Sequence, residues 1–293
     1  KMNSIVNILM VSHDKRIADP TSASAARMRS YGRGAARLEI LLLGYNNSAI
    51  RLSETVQVWP THNHKLAALL PAISRGKKIL AEGNHWLITC QDPILAGWIG
   101  WRLKKHARAP LELQVHTDIM SPYYSARSLA NWLRYRIAIF LLPRADRVRA
   151  VSARVKSNLL AKFPKLSIYV LPVTVDAAGI KQAPVNVNLR QRYPSKFIIL
   201  MASRLTREKN FSLALTALKT VIPLFPQTLL LIVGTGPERD NLKLKIKNLK
   251  LSGNVILEPW TDQLAGYYKT ADLFLLTSNY EGYGLTAIEA LAS

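Results

Sequence analysis

Residues 197–239 read FIILMASRLTREKNFSLALTALKTVIPLFPQTLLLIVGTGPER. The two apolar runs in this stretch, 197–202 and 228–233, are short and continuous, which is typical of strands buried on both faces. The segment between them, 211–222, is typical of a helix. Strands that alternate with helices predict a parallel sheet that is covered by helices on both faces. This stretch therefore decides the fold class, a doubly wound α/β unit.

The same alternation runs through the rest of the chain and predicts two such units. The predicted strands outside the opening stretch are 5–12, 38–45, 56–60, 85–90, 111–116, 147–152, 254–259 and 272–278. The predicted helices are 24–37, 94–107, 128–142, 238–251, 264–271 and one at the end of the chain. Ligands of such sheets bind at the carboxyl ends of the strands, so we expect two Rossmann-like domains that face a shared cleft.

The domain boundary is predicted where this rhythm breaks. Residues 171–197 contain three prolines and little periodicity, as linkers do. We therefore expect an N-terminal domain at 1–176, a linker at 177–194 and a C-terminal domain at 195–293. A length of 293 residues agrees with two domains.

Composition favours a folded protein of a reducing compartment. Hydrophobic residues make up 49% of the chain, which is enough for proper cores. The one cysteine, Cys90, lies in an apolar run and is expected to be a small buried hydrophobe. The opening residues lack the pattern of a secretory leader, and the longest apolar run, 137–142, is too short to cross a bilayer. We expect a cytoplasmic protein, or one bound to the surface of a membrane.

Charge is the most unusual feature of the composition. The chain has 40 Lys and Arg against 18 Asp and Glu, a net charge of +22. Residues 1–176 hold 26 basic and 10 acidic side chains, whereas residues 177–293 hold 14 and 8. Such a field predicts an anionic partner, which could be nucleic acid, acidic lipid or a phosphorylated substrate. Solubility alone is the alternative explanation.

Three loops of the second half carry charged residues or glycines directly after a predicted strand. Arg204 and Lys209 follow the first strand, the Gly234–Gly236 turn follows the second, and Glu281 and Glu289 follow the last. Two cations, a glycine turn and a helix N-terminus can together hold a diphosphate. The carboxylates fit hydroxyl-rich groups, such as a ribose and a sugar, because hydroxyls donate hydrogen bonds to them.

In these motifs the second half resembles the second domain of the family-4 retaining glycosyltransferases with the GT-B fold (glycosyl transferases group 1). The resemblance covers residues 197–293 closely. Residues 1–176 match in the order of elements and in the motifs QVHTDI and PRADRVRAVSARVK. It implies a hexosyltransferase-type enzyme that moves a sugar from a nucleotide diphosphate donor to a glycan or lipid-linked acceptor, in the synthesis of cell-surface polysaccharide or glycolipid. It implies no cofactor.

The resemblance also implies roles for particular residues. Arg204 and Lys209 would bind the donor diphosphate, Glu281 the donor sugar and Glu289 the nucleotide ribose, while His116 would sit at the reacting sugar. The catalytic set is thus His116, Glu281, Arg204 and Lys209. The donor-binding set is Arg204, Lys209, Gly234, Gly236, Glu281, Gly282, Tyr283, Gly284, Leu285 and Glu289. Their positions after strands of the first domain, and not the resemblance, assign His13, Asp14 and Asp118 to the acceptor side.

Two features depart from the family pattern. Many relatives carry paired glycines after the first strand, where this chain has Ser22, Ser24 and Ala25. Relatives also continue beyond the helix that bears Glu289, so we expect the second domain to be incomplete. The sequence contains no Asp-x-Asp triplet, and we expect a metal-independent reaction in which cations neutralise the diphosphate.

The resemblance implies that the first domain binds the acceptor, and its side chains predict that it also binds an anionic membrane surface. Basic and aromatic residues are interleaved in residues 98–108 and 127–144, which suits an interface with acidic lipid at the inner face of a membrane. The alternative is that these aromatics belong to the core and the cations form a solvated face. Rival functions are a nucleic-acid-binding or membrane-binding protein without transferase activity, a GT-B epimerase or phosphorylase, and an inactive scaffold. The order of motifs makes nucleic acid the less favoured partner.

Overall fold

The computed structural model describes residues 6–64 and 66–293. The first predicted strand begins at Ile5, which lies outside the described residues. The chain divides into two compact units, Lys1–Pro172 and Val173–Ser293. The segment predicted as a linker, 177–194, belongs to the second unit. It contains two short helices, and Leu189, in the second of them, is fully buried in a core cluster of that unit.

The first unit is built on an eight-stranded sheet. Its strands are β1 (Asn7–Ser12), β2 (Arg37–Leu42), β3 (Ile50–Arg51), β4 (Val56–Pro60), β5 (Trp86–Cys90), β6 (Leu111–Val115), β7 (Arg147–Ala150) and β8 (Ile168–Val170). The strand order is β3-β4-β2-β1-β5-β6-β7-β8, and every neighbouring pair is parallel except β3 with β4. Its helices are α1 (Ala23–Gly32), α2 (Leu69–Ala81), α3 (Leu95–Ala107), α4 (Pro122–Ala126), α5 (Leu129–Leu141) and α6 (Ala153–Lys162).

Two glycines of this unit, Gly32 and Gly100, allow a helix to approach the sheet closely. The sequence predicted one helix over 24–37, but α1 ends at Gly32 and the chain enters β2. A Cβ at Gly32 would lie 2.2 Å from Val56 Cγ2, so the chain passes very close to the neighbouring strand here. A Cβ at Gly100 would lie 2.3 Å from the sulfur of Cys90. Helix α3 thus packs directly on β5, and the prediction that Cys90 is buried is confirmed.

The second unit is a four-stranded parallel sheet with helices around it. Its strands are β9 (Phe197–Ala202), β10 (Thr228–Val233), β11 (Val255–Glu258) and β12 (Leu273–Phe274), in the order β11-β10-β9-β12. Its helices are α7 (Ala177–Gln182), α8 (Leu189–Arg192), α9 (Phe211–Val221), α10 (Arg239–Asn248), α11 (Leu264–Thr270) and α12 (Leu285–Ala292). Every residue of β10 is buried, which is why its sequence is continuously apolar.

The sequence prediction differs from the structure in several elements. It did not identify β3, α2, α4, α6, β8, α7 or α8, and it extended the last strand over 272–278, whereas β12 ends at Phe274. The amide of Leu275 still donates to the carbonyl of Leu200, but beyond it the side chain of Thr277 bonds to a neighbouring loop. The two edge strands β3 and β8, with two and three residues, are too short to show a clear periodicity.

Each sheet reverses its strand order at one point, and the loops diverge there. In the first unit the chain proceeds from β1 to β2 on one side and from β5 outward on the other. In the second unit β10 and β11 lie on one side of β9, and β12 lies on the other. The carboxyl ends of strands at such switch points form the usual ligand crevice of a doubly wound sheet.

Candidate functional site

An ion pair lies at the switch point of the second sheet. The ammonium of Lys209, after β9, contacts Oε1 of Glu281, after β12, and the hydroxyl of Ser278 donates to the same oxygen at 2.8 Å. The side chains of Lys209 and Glu281 are only 15% and 19% exposed. Arg204 lies in the same loop as Lys209, 79% exposed and 4.0 Å from Glu208. The sequence prediction that these loops share one edge of the sheet is consistent with this arrangement.

Hydrogen bonds join the two loops that carry this pair. The hydroxyl of Thr277 lies 3.1 Å from the carbonyl of Lys209 and 3.0 Å from that of Asn210. The amide of Asn279 donates to the carbonyl of Glu208 at 2.8 Å, and the side chains of Asn210 and Asn279 bond at 2.9 Å. The loops therefore hold Lys209 and Glu281 as one unit.

The Gly234–Gly236 turn allows a close approach between two backbone segments. A Cβ at Gly234 would lie 2.0 Å from the carbonyl oxygen of Ser203, and one at Gly236 would lie 2.4 Å from that of Leu205. The amide of Gly234 donates to the carbonyl of Glu258 at 3.0 Å, so this N–H is used within the sheet. The glycines have a structural reason to be here, and their predicted contact with a donor stays a prediction.

Helix α12 begins directly after this site. Gly284 precedes the helix with φ 76° and ψ 51°, a left-handed conformation that glycine adopts without strain. The amides of Ala287 and Ile288 both donate to its carbonyl. The N-terminus of a helix favours anions through its amide groups and its dipole. Residues 282–285, which the sequence analysis assigned to sugar and phosphate, form this helix start.

Glu289 on α12 has a defined partner. The hydroxyl of Tyr268 on α11 donates to its Oε2 at 2.9 Å. Burial raises the pKa of Tyr268, and the nearby negative charge of Glu289 raises it further, so this tyrosine remains a donor at neutral pH. The contact orients Glu289, and its predicted bond to a ribose stays a prediction.

Glu258, at the end of β11, is a buried carboxylate that the sequence analysis missed. It is 9% exposed and accepts from the hydroxyls of Tyr267 at 2.6 Å and Tyr193 at 3.3 Å, and it pairs with Arg192 at 2.9 Å. Burial and the bond to Glu258 raise the pKa of Tyr267 to about 12. An acid directly after an apolar strand, in VILEPW, is the signal that could have identified it.

In the first unit, His116 follows β6 at the carboxyl edge of the sheet. Its Nε2 lies 3.0 Å from Oε1 of Gln114, which is 6% exposed. His116 as a whole residue is exposed, but the protein around its imidazole desolvates the ring and lowers the pKa of His116 to about 4, with the positive charges of Arg149 and Arg27 adding to the effect. The imidazole is therefore neutral at physiological pH.

Asp118, two residues further on, is 5% exposed. Its Oδ2 accepts from the side-chain amide of Asn158 on α6 at 2.9 Å. Its Oδ1 is buried, and the described residues supply no hydrogen bond to it. A buried carboxylate oxygen without a donor is costly, so this atom is a candidate to accept from a ligand hydroxyl.

His13 and Asp14 follow β1 and differ in their surroundings. His13 Nδ1 lies 3.3 Å from Asp92 Oδ2, at the switch point between β1 and β5. Burial would raise the pKa of Asp14, but hydrogen bonds from Arg16 and Ser24 outweigh it and lower the pKa. Asp14 also caps a short 3₁₀ helix at Lys15–Ala18, so its carboxylate organises the local backbone.

The serines that replace the family's glycines act as structural groups. The hydroxyl of Ser22 accepts from the amide of Ala25 at 3.0 Å and caps α1. The hydroxyl of Ser24 donates to Asp14 at 2.7 Å and lies 3.3 Å from a guanidinium nitrogen of Arg27. The start of α1 is thus built from side-chain caps.

Aromatic and basic side chains form one surface on α3 and α5. This α3–α5 surface consists of Trp98, Trp101, Lys105, Trp132, Leu133, Arg136, Phe140 and Arg144. Trp132 and Leu133 are 47% and 55% exposed, so the alternative that these residues belong to the core is wrong for them. Lys105 and Arg144 lie 4.2 and 3.6 Å from the ring centres of Trp101 and Phe140. A groove of about 890 Å³ opens beside these four residues.

The arrangement of metal-ligating side chains and the lengths of the helices are the last features of the two units. Residues 6–64 and 66–293 contain no group of three or more His, Cys, Asp or Glu side chains placed to hold a metal ion. Within this part of the chain, no helix combines the length and the apolar character that crossing a membrane requires. A metal-independent reaction stays a prediction.

Comparisons with known proteins bear on the family. Alpha-monoglucosyldiacylglycerol synthase of Streptococcus pneumoniae is 26% identical over 233 residues, which are 75% of this chain and 53% of the synthase. The chain thus spans about half the length of that relative. Sucrose-phosphate synthase from Thermosynechococcus elongatus superposes with a TM-score of 0.72 and 20% identity, covering 98% of this chain and 79% of that one. Anabaena HepE in complex with UDP superposes with a TM-score of 0.72 and 21% identity, and the match covers 98% of this chain and 78% of HepE.

These structural neighbours are GT-B proteins, so the predicted fold class is confirmed. The family described as glycosyl transferases group 1 matches residues 188–293. The family described as Glycosyltransferase Family 4 matches residues 21–178, more than half of the chain. The first unit was the part that sequence motifs covered least, and its match completes the assignment. The chain belongs to glycosyltransferase family 4.

Proposed function

We propose that this chain is a retaining glycosyltransferase that moves a sugar from a nucleotide diphosphate donor to a glycan or lipid-linked acceptor. The observation that carries the proposal is the Lys209–Glu281 pair beside Arg204 and the N-terminus of α12. One edge of the second sheet thereby offers cations for a diphosphate and a carboxylate for sugar hydroxyls. The names of the relatives, a glycolipid synthase and a UDP-binding protein, support this substrate class.

The proposed catalysis is mainly electrostatic. Lys209, Arg204 and the α12 N-terminus stabilise the negative charge that grows on the departing diphosphate, because groups already in place do not need to reorganise during the reaction. Glu281 accepts from hydroxyls of the donor sugar, and Ser278 and Lys209 hold its carboxylate in position. Glu289, oriented by Tyr268, accepts from the ribose.

The retaining outcome is proposed to arise by attack on the same face that the diphosphate leaves. The acceptor oxygen forms the new bond to the anomeric carbon while the bond between that carbon and the diphosphate oxygen breaks. The acceptor proton passes to the departing phosphate oxygen. The family resemblance supports this route. Cations of the protein take the place of a metal ion in this scheme.

Calorimetric titration with UDP, GDP and ADP tests the donor site without an acceptor. We expect one nucleotide to bind preferentially, and Arg204→Ala and Glu289→Ala each to weaken it by about tenfold or more, since each removes a charge-assisted hydrogen bond. Lys219→Ala, an exposed lysine on α9, is the matched control and should bind like the wild type. If the folded protein binds none of the three, the donor-site proposal is wrong.

We also propose that the α3–α5 surface docks on anionic lipid at the cytoplasmic face of a membrane and brings the first unit to a lipid-linked acceptor. Exposed Trp132 and Leu133 next to cations support this, because aromatic rings enter the interface while basic groups meet lipid phosphates. Trp132→Ala should reduce binding to phosphatidylglycerol vesicles. Trp260→Ala, a tryptophan of the second unit that is 43% exposed, is the control. Equal binding of both variants would contradict this surface.

A further inference from the structure

A hydrogen-bonded network crosses one face of the first sheet and ends at His116. It includes Thr89 on β5, Glu112 and Gln114 on β6, Arg149 on β7 and Tyr169 on β8. Residues 112, 114 and 116 fall on the same face because side chains alternate along a strand. Thr89 and Gln114 are 4% and 6% exposed, so their polar atoms depend on one another for hydrogen bonds.

The acidic end of the network sets the direction of its bonds. Glu112 accepts at both oxygens, from the hydroxyl of Tyr169 at 2.7 Å and from that of Thr89 at 2.9 Å. Burial and Glu112 raise the pKa of Tyr169 to about 12, so its hydroxyl keeps its proton. Thr89 gives its one hydrogen to Glu112, and its oxygen therefore accepts from Gln114 Nε2, which lies 2.9 Å away.

The basic end fixes the same orientation independently. A guanidinium donates and never accepts, so the atom of Gln114 that faces Arg149 at 3.5 Å is the oxygen. The same oxygen lies 3.0 Å from Nε2 of His116. Because an amide oxygen only accepts, Nε2 must supply the hydrogen. Both ends of the network thus lead to the same protonation of the ring.

We propose that Gln114, oriented by Thr89 and Glu112, holds His116 as the Nε2–H tautomer, so that the Nδ1 lone pair is the atom this ring offers to a ligand. The depressed pKa of His116, about 4, is consistent with a neutral ring. Burial, Arg149, Arg27 and His13 all disfavour its protonation. Thr89, Glu112 and Gln114 are positioning residues, since they act through His116.

This tautomer restricts the chemistry of the ligand group. A lone pair at Nδ1 accepts from a hydroxyl or an N–H, and it repels phosphate or carboxylate oxygens. On the proposed function, which this step rests on, His116 therefore binds a sugar or acceptor hydroxyl and leaves the diphosphate to other residues. Asp118, also an acceptor at this edge, fits the same hydroxyl-rich partner.

Nitrogen-15 NMR of the histidine-labelled full chain tests the tautomer directly. Long-range proton–nitrogen correlations of the wild type should show a protonated Nε2 and an unprotonated Nδ1 for His116. Thr89→Val keeps the shape and removes the hydroxyl, so Gln114 Nε2 loses its acceptor and only the long 3.5 Å contact with Arg149 still directs the amide oxygen toward the ring. A second, Nδ1–H tautomer should therefore appear beside the first. Thr228→Val, another buried strand threonine at 4% exposure, is the control. A wild-type Nδ1–H ring, or a single unchanged tautomer in Thr89→Val, would overturn the proposal.

A second variant keeps the test decisive if Thr89→Val does not fold. Gln114→Glu places a carboxylate beside Nε2, which should raise the pKa of His116 by roughly one to three units. An unchanged titration would show that Gln114 does not contact the ring and would refute the proposal. Neither spectrum needs a nucleotide or an acceptor. The tautomer proposal can therefore be refuted while the nucleotide titration supports the donor site, and the donor site can be refuted while the tautomer is confirmed.

Discussion

Gly234 shows how the absence of a side chain allows two backbone segments of a site to pack closely. Its backbone passes so close to Ser203 that a Cβ would lie 2.0 Å from a carbonyl oxygen. Backbone atoms cannot turn away as a flexible side chain can, so the loop that carries Arg204 and Lys209 would have to move. The glycine thus positions the cations through packing.

Gly234→Ala is therefore expected to destabilise the protein by roughly 1 to 3 kcal/mol, as overpacking does, and to weaken nucleotide binding. Chemical denaturation and calorimetry measure the two effects. Gly253→Ala is the matched control, because nothing lies within 4 Å of a Cβ there. Equal stability of the two variants would mean that the turn adjusts without cost.

His116 should titrate far below an ordinary histidine. Its pKa in the folded chain is about 4, against 6.5 for an ordinary histidine. As the pH falls, the unfolded chain therefore takes up a proton at this histidine before the folded chain does. The free energy of unfolding consequently decreases between pH 6.5 and pH 4. We expect the ring signals to change near pH 4, and His116→Gln to lose less stability than the wild type over this range. A midpoint near 6.5 would contradict the desolvated site.

At the scale of elements, the donor-side geometry depends on how two loops are joined. The loop after β9 supplies Lys209 and the segment after β12 supplies Glu281, and α12 starts directly behind it. Thr277 connects the two by a hydroxyl that reaches two carbonyls of the other loop. The last predicted strand stops short because its residues serve this connection instead of the sheet.

Thr277→Val should therefore show whether the bond between the two loops is needed to position Lys209 and Glu281. The variant keeps the shape but loses the hydroxyl, and we expect a loss of about 1 kcal/mol of stability with weaker nucleotide binding. Thr216→Val removes a hydroxyl that bonds within α9 and serves as the control. Unchanged nucleotide affinity in Thr277→Val would show that the loops hold their geometry by other contacts.

At the scale of the whole molecule, the net charge of +22 is concentrated in the residues before 177, where 26 basic side chains face 10 acidic ones. The α3–α5 surface combines part of this charge with exposed aromatics. The proposed docking on lipid uses both features, because aromatic rings enter the membrane interface while basic groups meet lipid phosphates.

Binding to phosphatidylglycerol vesicles should accordingly fall as salt rises from about 50 to about 500 mM, because exposed charges are screened. Part of the vesicle binding should remain at high salt, because salt does not screen the burial of the aromatic side chains. Sedimentation of the full chain with anionic and with neutral vesicles measures both parts. Tighter binding to duplex DNA than to vesicles, without sugar turnover, would favour the nucleic-acid alternative.

The sequence predicted several long buried elements well because their signal is local, although it missed the 13-residue helix α2. β9, β10, α3, α5 and α9 combine continuous apolar runs or helical spacing with clear ends. Short edge elements such as β3 and β8 carry too few residues to be identified. The buried carboxylate of Glu258 and the linker helices were missed because their partners come from distant parts of the chain.

The sequence by itself determined the fold class, the order of the motifs after the strands and the family. Apolar periodicity and motif spacing are properties of neighbouring residues. The tertiary structure decided which of these residues contact one another. Lys209 pairs with Glu281, the backbone of Gly234 packs against the carbonyl of Ser203, and the amide oxygen of Gln114 lies 3.0 Å from Nε2 of His116. These contacts join residues from different strands and loops, and local periodicity carries no information about which polar atoms meet at the edge of a sheet.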